Sequence, residues 1–187
     1  ITADIARAWG ITATILPMSD DRVATKIATD IGMLPFQNYF VEHQCRPVVK
    51  AIGFAGAEDA NPAPGVIEAI AKADAIFVAP SNPFLSVDPI LSVAAITQAL
   101  AKAAAPKICI SPLVGGTAVK GPTAKLMTEL GIAISNQAIA AHYGDWLDGM
   151  LHDESDAAPD ALAARATHTM MKNLEDKIRV AEAALGF

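Results

Sequence analysis

The sequence predicts an α/β fold, a mostly parallel sheet flanked by helices, and three observations carry that prediction. Two short apolar runs, AIFVA at residues 75–79 and KICIS at 107–111, read as buried strands. Between them Val93, Ile96, Leu100 and Ala104 recur at helical spacing, long enough for a crossover. Each run then breaks into a loop of Pro, Ser, Asn or Gly, as happens at the ligand-binding edge of open α/β sheets. A right-handed crossover makes the two strands parallel neighbours and puts both loops on one edge, so Ser81–Asn82 and Gly115–Gly116 should face one crevice. The predicted architecture is Rossmann-like, with an added β-hairpin and a C-terminal helix.

The bulk properties bound the function. The chain has 187 residues, 52% of them hydrophobic, enough for one domain with a substantial core, which we place over residues 1–187. A net charge of -6 argues against a general nucleic-acid binder, so an anionic substrate has to be met by local donors. Cys45 and Cys109 show no metal-ligand spacing and read as free thiols of a cytoplasmic protein. No stretch is long and apolar enough to suggest a membrane span.

In chain order, residues 2–9 read as a helix, with Thr2 to cap it and Gly10 to end it. ITATIL at 11–16 reads as a strand ended by Pro17. Thr25 and Thr29 flank a piece compatible with strand or helix. Residues 38–42 and 48–54 read as two strands of a hairpin around Cys45-Arg46-Pro47. His43 stands alone there, which suits a structural role. A loop at 56–64 leads to a helix over 65–73 with Val66, Ile67 and Ile70 on one face. Beyond the strand at 75–79, Pro80, Pro83 and Pro89 neither continue a strand nor suit a helix interior, so a rigid polar loop is expected.

Pro106 stops the crossover helix, and the strand at 107–111 leads into PLVGGTAVKGP at 112–122. Leu126, Met127 and Leu130 mark the next helix, with Pro122 in its first turn. Residues 132–135 suggest a short strand, and Asn136 a cap for a helix through His142 and Tyr143. Residues 150–153 suggest another strand, followed by an acidic loop of Glu154, Ser155 and Asp156. Met171, Leu174, Ile178, Ala181 and Leu185 form an apolar stripe on a final helix, which we read as packed on its own sheet rather than as a coiled-coil seam.

The candidate chemistry lies in three places. Gly115-Gly116 lets backbone N–H groups approach an anion, Lys120 adds a mobile positive charge, and Gly121-Pro122 opens a helix whose N-terminus favours phosphate. The spacing is not that of a Walker A loop, because Pro122 follows Gly121. Asp20 and Asp21 are adjacent carboxylates suited either to magnesium or to a solvated acidic turn. Ser81, Ser86 and Ser111 are hydroxyl candidates with no partner visible by spacing, and His142 and His152 lack zinc spacing. Phosphoryl-type transfer needs positioning and charge neutralisation more than a covalent triad, so the missing triad does not exclude it.

The pair PSNP…S…PIL and SPLVGGTAVKGP, with LPMSDDRVATKIATDIG-LPFQNYFV upstream, resembles the 2-phospho-L-lactate transferase family of coenzyme F-420 biosynthesis, from roughly residue 11 to about 156. The resemblance implies transfer of a 2-phospholactyl or phosphoenolpyruvyl-type group from a GDP-activated donor to the deazaflavin 7,8-didemethyl-8-hydroxy-5-deazariboflavin (Fo), with release of GMP and help from magnesium. It places Ser81, Asn82, Pro83 and Ser86, with Gly115, Gly116, Lys120 and Gly121, on the nucleotide or phosphate side. It also implies that the family's N-terminal strand and Gly-rich loop, which carry its deazaflavin-binding residues, precede the part seen here, so this chain alone is not expected to turn over Fo. A homodimer fits the resemblance. Two other readings stand beside it: a related non-catalytic, regulatory nucleotide-sugar-binding protein, and a fold-retaining fragment without activity.

Overall fold

The computed structural model describes residues 1–118 and 121–187. Helix α1 (Thr2–Ala8) opens the chain, with Ile1 at its cap position making no side-chain cap bond. Residues 11–16 are not a strand. Their β-branched composition favours extended backbone, but no strand pairs with them, and an isolated strand has nowhere to place its N–H and C=O groups.

An antiparallel sheet of three strands follows, in the order β2 (Gly32–Pro35), β1 (Ala24–Thr29), β3 (Val49–Ala55). The hairpin expected between residues 38–42 and 48–54 is not formed; the hairpin present is β1–β2, with Thr29 opposite Gly32, and residues 49–55 pair with β1 instead. Residues 38–42 are a π-helical turn, Asn38–Glu42, and not the first strand of a hairpin. Tyr39 is fully buried there, which fixes the turn from inside. Aromatic and β-branched content suggested a strand; tertiary burial of one side chain overrides that propensity.

Helix α2 (Val66–Lys72) delivers the chain to β4 (Ile76–Val78). A π-helical turn, Pro83–Val87, comes next and runs into α3 (Asp88–Leu91) and α4 (Ala94–Lys102). The segment expected as a rigid polar loop is a loop over residues 80–82 and helical from Pro83 onward. Pro83 and Pro89 sit in first turns, where a missing N–H costs nothing, and Pro80 stays in the loop before them. Strand β5 (Lys107–Ile110) leads to a small hairpin, β6 (Leu113–Val114) with β7 (Thr117–Ala118). Helices α5 (Thr123–Glu129) and α6 (Asn136–Tyr143), strands β8 (Gly149–Asp153) and β9 (Ala163–Thr167), and helix α7 (Leu174–Leu185) complete the fold. Residues 132–135 are not a strand, and the cap of α6 is Ser135, whose hydroxyl accepts from the Ala138 N–H at 3.1 Å. Asn136 is buried instead, committed to the sheet edge.

The main sheet is β4-β5-β8-β9, every pair parallel. The expected adjacency of β4 and β5 holds, with Phe77 opposite Ile108. The strand expected to be buried is the sheet's edge, however, and Phe77 is 39% exposed. Alternation along β5 and β8 feeds two faces. Cys109 and Met150 enter the large core with Phe84, Leu126, Met127 and Tyr143, which also takes Ile27, Tyr39 and Val49 from the antiparallel sheet. Ile110 and Leu151 meet Val180 and Ala184 of α7 on the other face. Helix α7 is therefore packed on its own sheet as expected, but through Val180 and Ala184. The predicted stripe points outward, with Leu174 at 70% and Leu185 at 72% exposure. At the amino edge, buried Lys107 is neutralised by Asp148 at 2.8 Å and donates to the carbonyls of Ala103 and Ala105. No single helix among the described residues is long and apolar enough to cross a membrane.

Candidate functional site at the carboxyl edge of the parallel sheet

Strands β4, β5 and β9 all release their chains on one edge, and there a crevice of about 210 Å³ opens. Pro80, Ser81 and Asn82 form one wall, Ser111 and Pro112 the floor, and Thr169, Met170 and Met171 the opposite wall. Val114 and Thr123 close the rim. A second cavity of about 500 Å³ adjoins it, lined mostly by apolar side chains including Met18, Val66, Ile70, Ile96 and Trp146. Ser81 lines both. The smaller space suits a phosphate group, and the larger is within the size range of small-molecule sites, about 300–1,000 Å³.

Asn82 holds the crevice together. Its side-chain oxygen accepts from the N–H groups of Phe84 at 3.0 Å and Leu85 at 2.9 Å, which caps the turn that begins at Pro83. Its amide nitrogen donates to Thr123 Oγ1 at 3.0 Å, across to the first residue of α5. One side chain therefore spends both ends on architecture and joins the two loops that the crossover argument brings to one edge. Pro83 lies buried beneath. Ser86 is exposed and lines the apolar cavity, not the crevice.

The floor is equally committed. Ser111 is 1% exposed, donates to Asn136 Oδ1 at 2.6 Å and accepts from the Leu113 N–H. Asn136 in turn donates to the Ala157 carbonyl at 2.8 Å. A hydroxyl so engaged is a scaffold and not a nucleophile. Asp153 at the end of β8 is 1% exposed and accepts from Ser155 N–H and Oγ and from Thr169 N–H and Oγ1. Burial works against its ionised form, but the bonds from Ser155 and Thr169 prevail and hold its carboxyl down at about 2. That buried carboxylate fixes Thr169, and with it the far wall.

The glycine loop is a tight hairpin turn. Gly115 and Gly116 have φ of 61° and 69°, the left-handed pair that a type I′ turn between β6 and β7 requires. Their N–H groups do not face an empty space: Gly115 donates to Asp156 Oδ2 and to Ser155 Oγ, both at 3.0 Å, and Gly116 to Asp156 Oδ1 at 2.6 Å. Neither glycine lines the crevice, although their neighbour Val114 does. Gly121, with φ of 73°, turns the chain into α5, and Lys120 lies outside the described residues.

Asp20 is exposed, and Asp21 accepts from the Asn61 backbone N–H at 2.8 Å. Their turn continues from Met18, which lines the apolar cavity opposite Ser81 and Ser86. Among the described residues no group of three or more acidic, His or Cys side chains could enclose a metal ion. Asp20 lines a separate cavity with Ser19 and Ala63, and Asp21 also accepts from the Asn61 side-chain amide at 3.3 Å; as hard carboxylates the two suit magnesium, which needs only one or two protein ligands. His142 meets Asp88 at 2.8 Å and packs edge-on to Phe84, tying α6 to α3.

The family model described as 2-phospho-L-lactate transferase CofD matches residues 1–185. The chain belongs to this family. It is 35% identical over 97% of its length to a 2-phospho-L-lactate transferase of Methanopyrus kandleri. It is 39% identical over 99% of its length to a phosphoenolpyruvate transferase of Kitasatospora aureofaciens. The chain spans about 60% of the length of these CofD relatives. Among solved structures it resembles a protein of the UPF0052 family from Bacillus halodurans, with a TM-score of 0.68 at 18% identity, over 98% of this chain and 65% of that one. At that identity the likeness shows the fold alone.

Sequence reasoning found the Ser81–Asn82 wall and missed Thr123 and Thr169–Met171. Thr169 follows β9, whose composition, Ala163-Ala-Arg-Ala-Thr167, carries no run of large apolar residues to announce a strand. The only sequence signal for Thr123 was its place just after the Gly121-Pro122 helix opening.

Proposed function

We propose that this chain carries the nucleotide-phosphate side of a CofD-type transferase, which moves a phospholactyl or phosphoenolpyruvyl-type group from a GDP-activated donor to Fo and releases GMP. The observation that carries this reading is the Asn82–Thr123 hydrogen bond. It joins the Ser-Asn-Pro turn to the helix after the Gly-Lys-Gly segment at a parallel-sheet edge, in a chain whose family is defined by such a transfer.

The residues supply positioning. Thr123 Oγ1 accepts from Asn82, which leaves its own O–H to donate into the crevice. The Ser81 hydroxyl, between the polar crevice and the apolar cavity, donates to the same phosphates. Lys120 adds charge, the role that its place in the sequence suggests. In the reaction an alcohol oxygen of Fo forms a new bond to the donor phosphorus, the bond from that phosphorus to the GMP oxygen breaks, and the alcohol proton leaves to solvent or base. Magnesium, held by Asp20 and Asp21, would neutralise charge on the phosphates. Calorimetry with GDP, GMP and ADP tests the reading: binding of the guanine nucleotides in preference to ADP is expected, and equal or no binding overturns it.

A further inference from the structure

The N–H pair of Gly115 and Gly116 has the geometry of an anion seat, and the structure fills it with an anion of the protein's own. Asp156 spans the turn with both carboxylate oxygens, one on each glycine, at 3.0 and 2.6 Å. The partners are forty residues apart in sequence, and the loop after β8 meets the hairpin tip through Asp156 on both glycines and through Ser155 Oγ, which also accepts from the Gly115 N–H at 3.0 Å. The carboxylate is not anchored elsewhere by a cation: none of the ion pairs among the described residues includes Asp156. The neighbouring Ser155 hydroxyl is held by Asp153, which also holds Thr169 of the crevice wall. The seat is thus linked by a continuous chain of hydrogen bonds to the crevice.

We propose that Asp156 is an internal competitor for a phosphate: the Gly115–Gly116 seat, one residue beyond Val114 of the crevice rim, takes one phosphate of a diphosphate whose other phosphate lies in the crevice, and the Asp156 carboxylate occupies that seat until the phosphate displaces it, so that Asp156 sets the affinity and the anion selectivity of the site. A terminal phosphate carries more charge than a carboxylate and offers three acceptor oxygens, so it can take both N–H bonds where a singly charged carboxylate ligand gains nothing by the exchange. This rests on the reading of the crevice as a nucleotide-phosphate site. It makes Asp156 a selectivity residue that acts by leaving, not by contact with the reacting atoms.

The test uses Asp156→Ala and Asp156→Asn, with Asn retained as a neutral acceptor that keeps the turn clasped if Ala loosens it. GDP affinity is measured by calorimetry, and the amide signals of Gly115 and Gly116 are followed by ¹⁵N NMR. The expected result is a gain in GDP affinity of about tenfold in Asp156→Ala and a smaller gain in Asp156→Asn, the scale of one charge-assisted hydrogen bond. In wild type, GDP should shift both glycine amides while acetate should not. GDP binding that leaves those amides unmoved, or that weakens in both variants, makes Asp156 a structural clasp and overturns this inference while the nucleotide reading stands. No GDP binding by wild type or either variant overturns the nucleotide reading and the inference with it.

Discussion

Single residues in this protein do their work through what they hold in place. Asn82 is the clearest case, because its two ends can be separated by mutation. Asn82→Ala should cost about 1–2 kcal/mol of stability in a denaturant titration, the scale of a lost helix cap. Asn82→Asp keeps the oxygen that accepts from Phe84 and Leu85 but loses the donor to Thr123. It should cost about 1 kcal/mol of stability, the scale of one lost part-buried hydrogen bond, and also weaken GDP binding. If Asn82→Asp binds GDP as wild type does, the link to Thr123 is irrelevant to the site. Lys120 is the only positive side chain between Lys107 and Lys125, and Lys120→Ala should weaken guanine-nucleotide binding by roughly 1.5–3 kcal/mol at fixed salt and magnesium. Unchanged affinity would remove it from the site. Residue chemistry was only partly legible in the sequence. The glycines announced an anion seat, and they do hold an anion, but no local pattern names Asp156 as its occupant.

At the scale of elements, what the sequence made legible was the crossover. Apolar runs, a helical repeat and right-handed connection rules specify β4, α4 and β5 as parallel neighbours without any tertiary knowledge. Elements set by partners distant in the chain were not legible. Residues 38–42 carry a strand's composition yet form a helical turn, because Tyr39 is drawn into the core. Strand β9 has mostly exposed side chains and is defined only by its pairing with β8. Residues 11–16 have strand propensity and no strand to pair with. The core of the crossover can be tested directly: Ile96, 2% exposed, packs α4 with Val93 and Leu100 against α2 and β4. Ile96→Ala should cost about 2–5 kcal/mol, against under about 0.5 for Ala at exposed Leu174, even though sequence periodicity treated both as core. Equal effects would contradict the assignment of the inner face of α7 to Val180 and Ala184.

For the whole molecule, the same placement predicts a pH profile and a thiol profile. Asp153 titrates at about 2 in the folded protein against an ordinary carboxylate near 4 when unfolded, so its bonds to Ser155 and Thr169 contribute full stability above about pH 4. That contribution is lost as pH falls from about 4 through about 2, and the stability difference between wild type and Asp153→Asn should shrink over that window. A difference that stays constant would show that Asp153 is not held ionised. Cys109 is 1% exposed, and burial pushes its thiol up to about 12, so it should resist a thiol reagent until the protein unfolds, while partly exposed Cys45 reacts in the native state. Native reactivity of both would contradict the core described here. The central claim is that the carboxyl edge of the parallel sheet binds a guanine nucleotide by its phosphates. A crystal soaked with GDP and magnesium tests it most directly: the account predicts phosphate density between Ser81 and Thr123, and density elsewhere on the molecule, with the crevice empty, would contradict it.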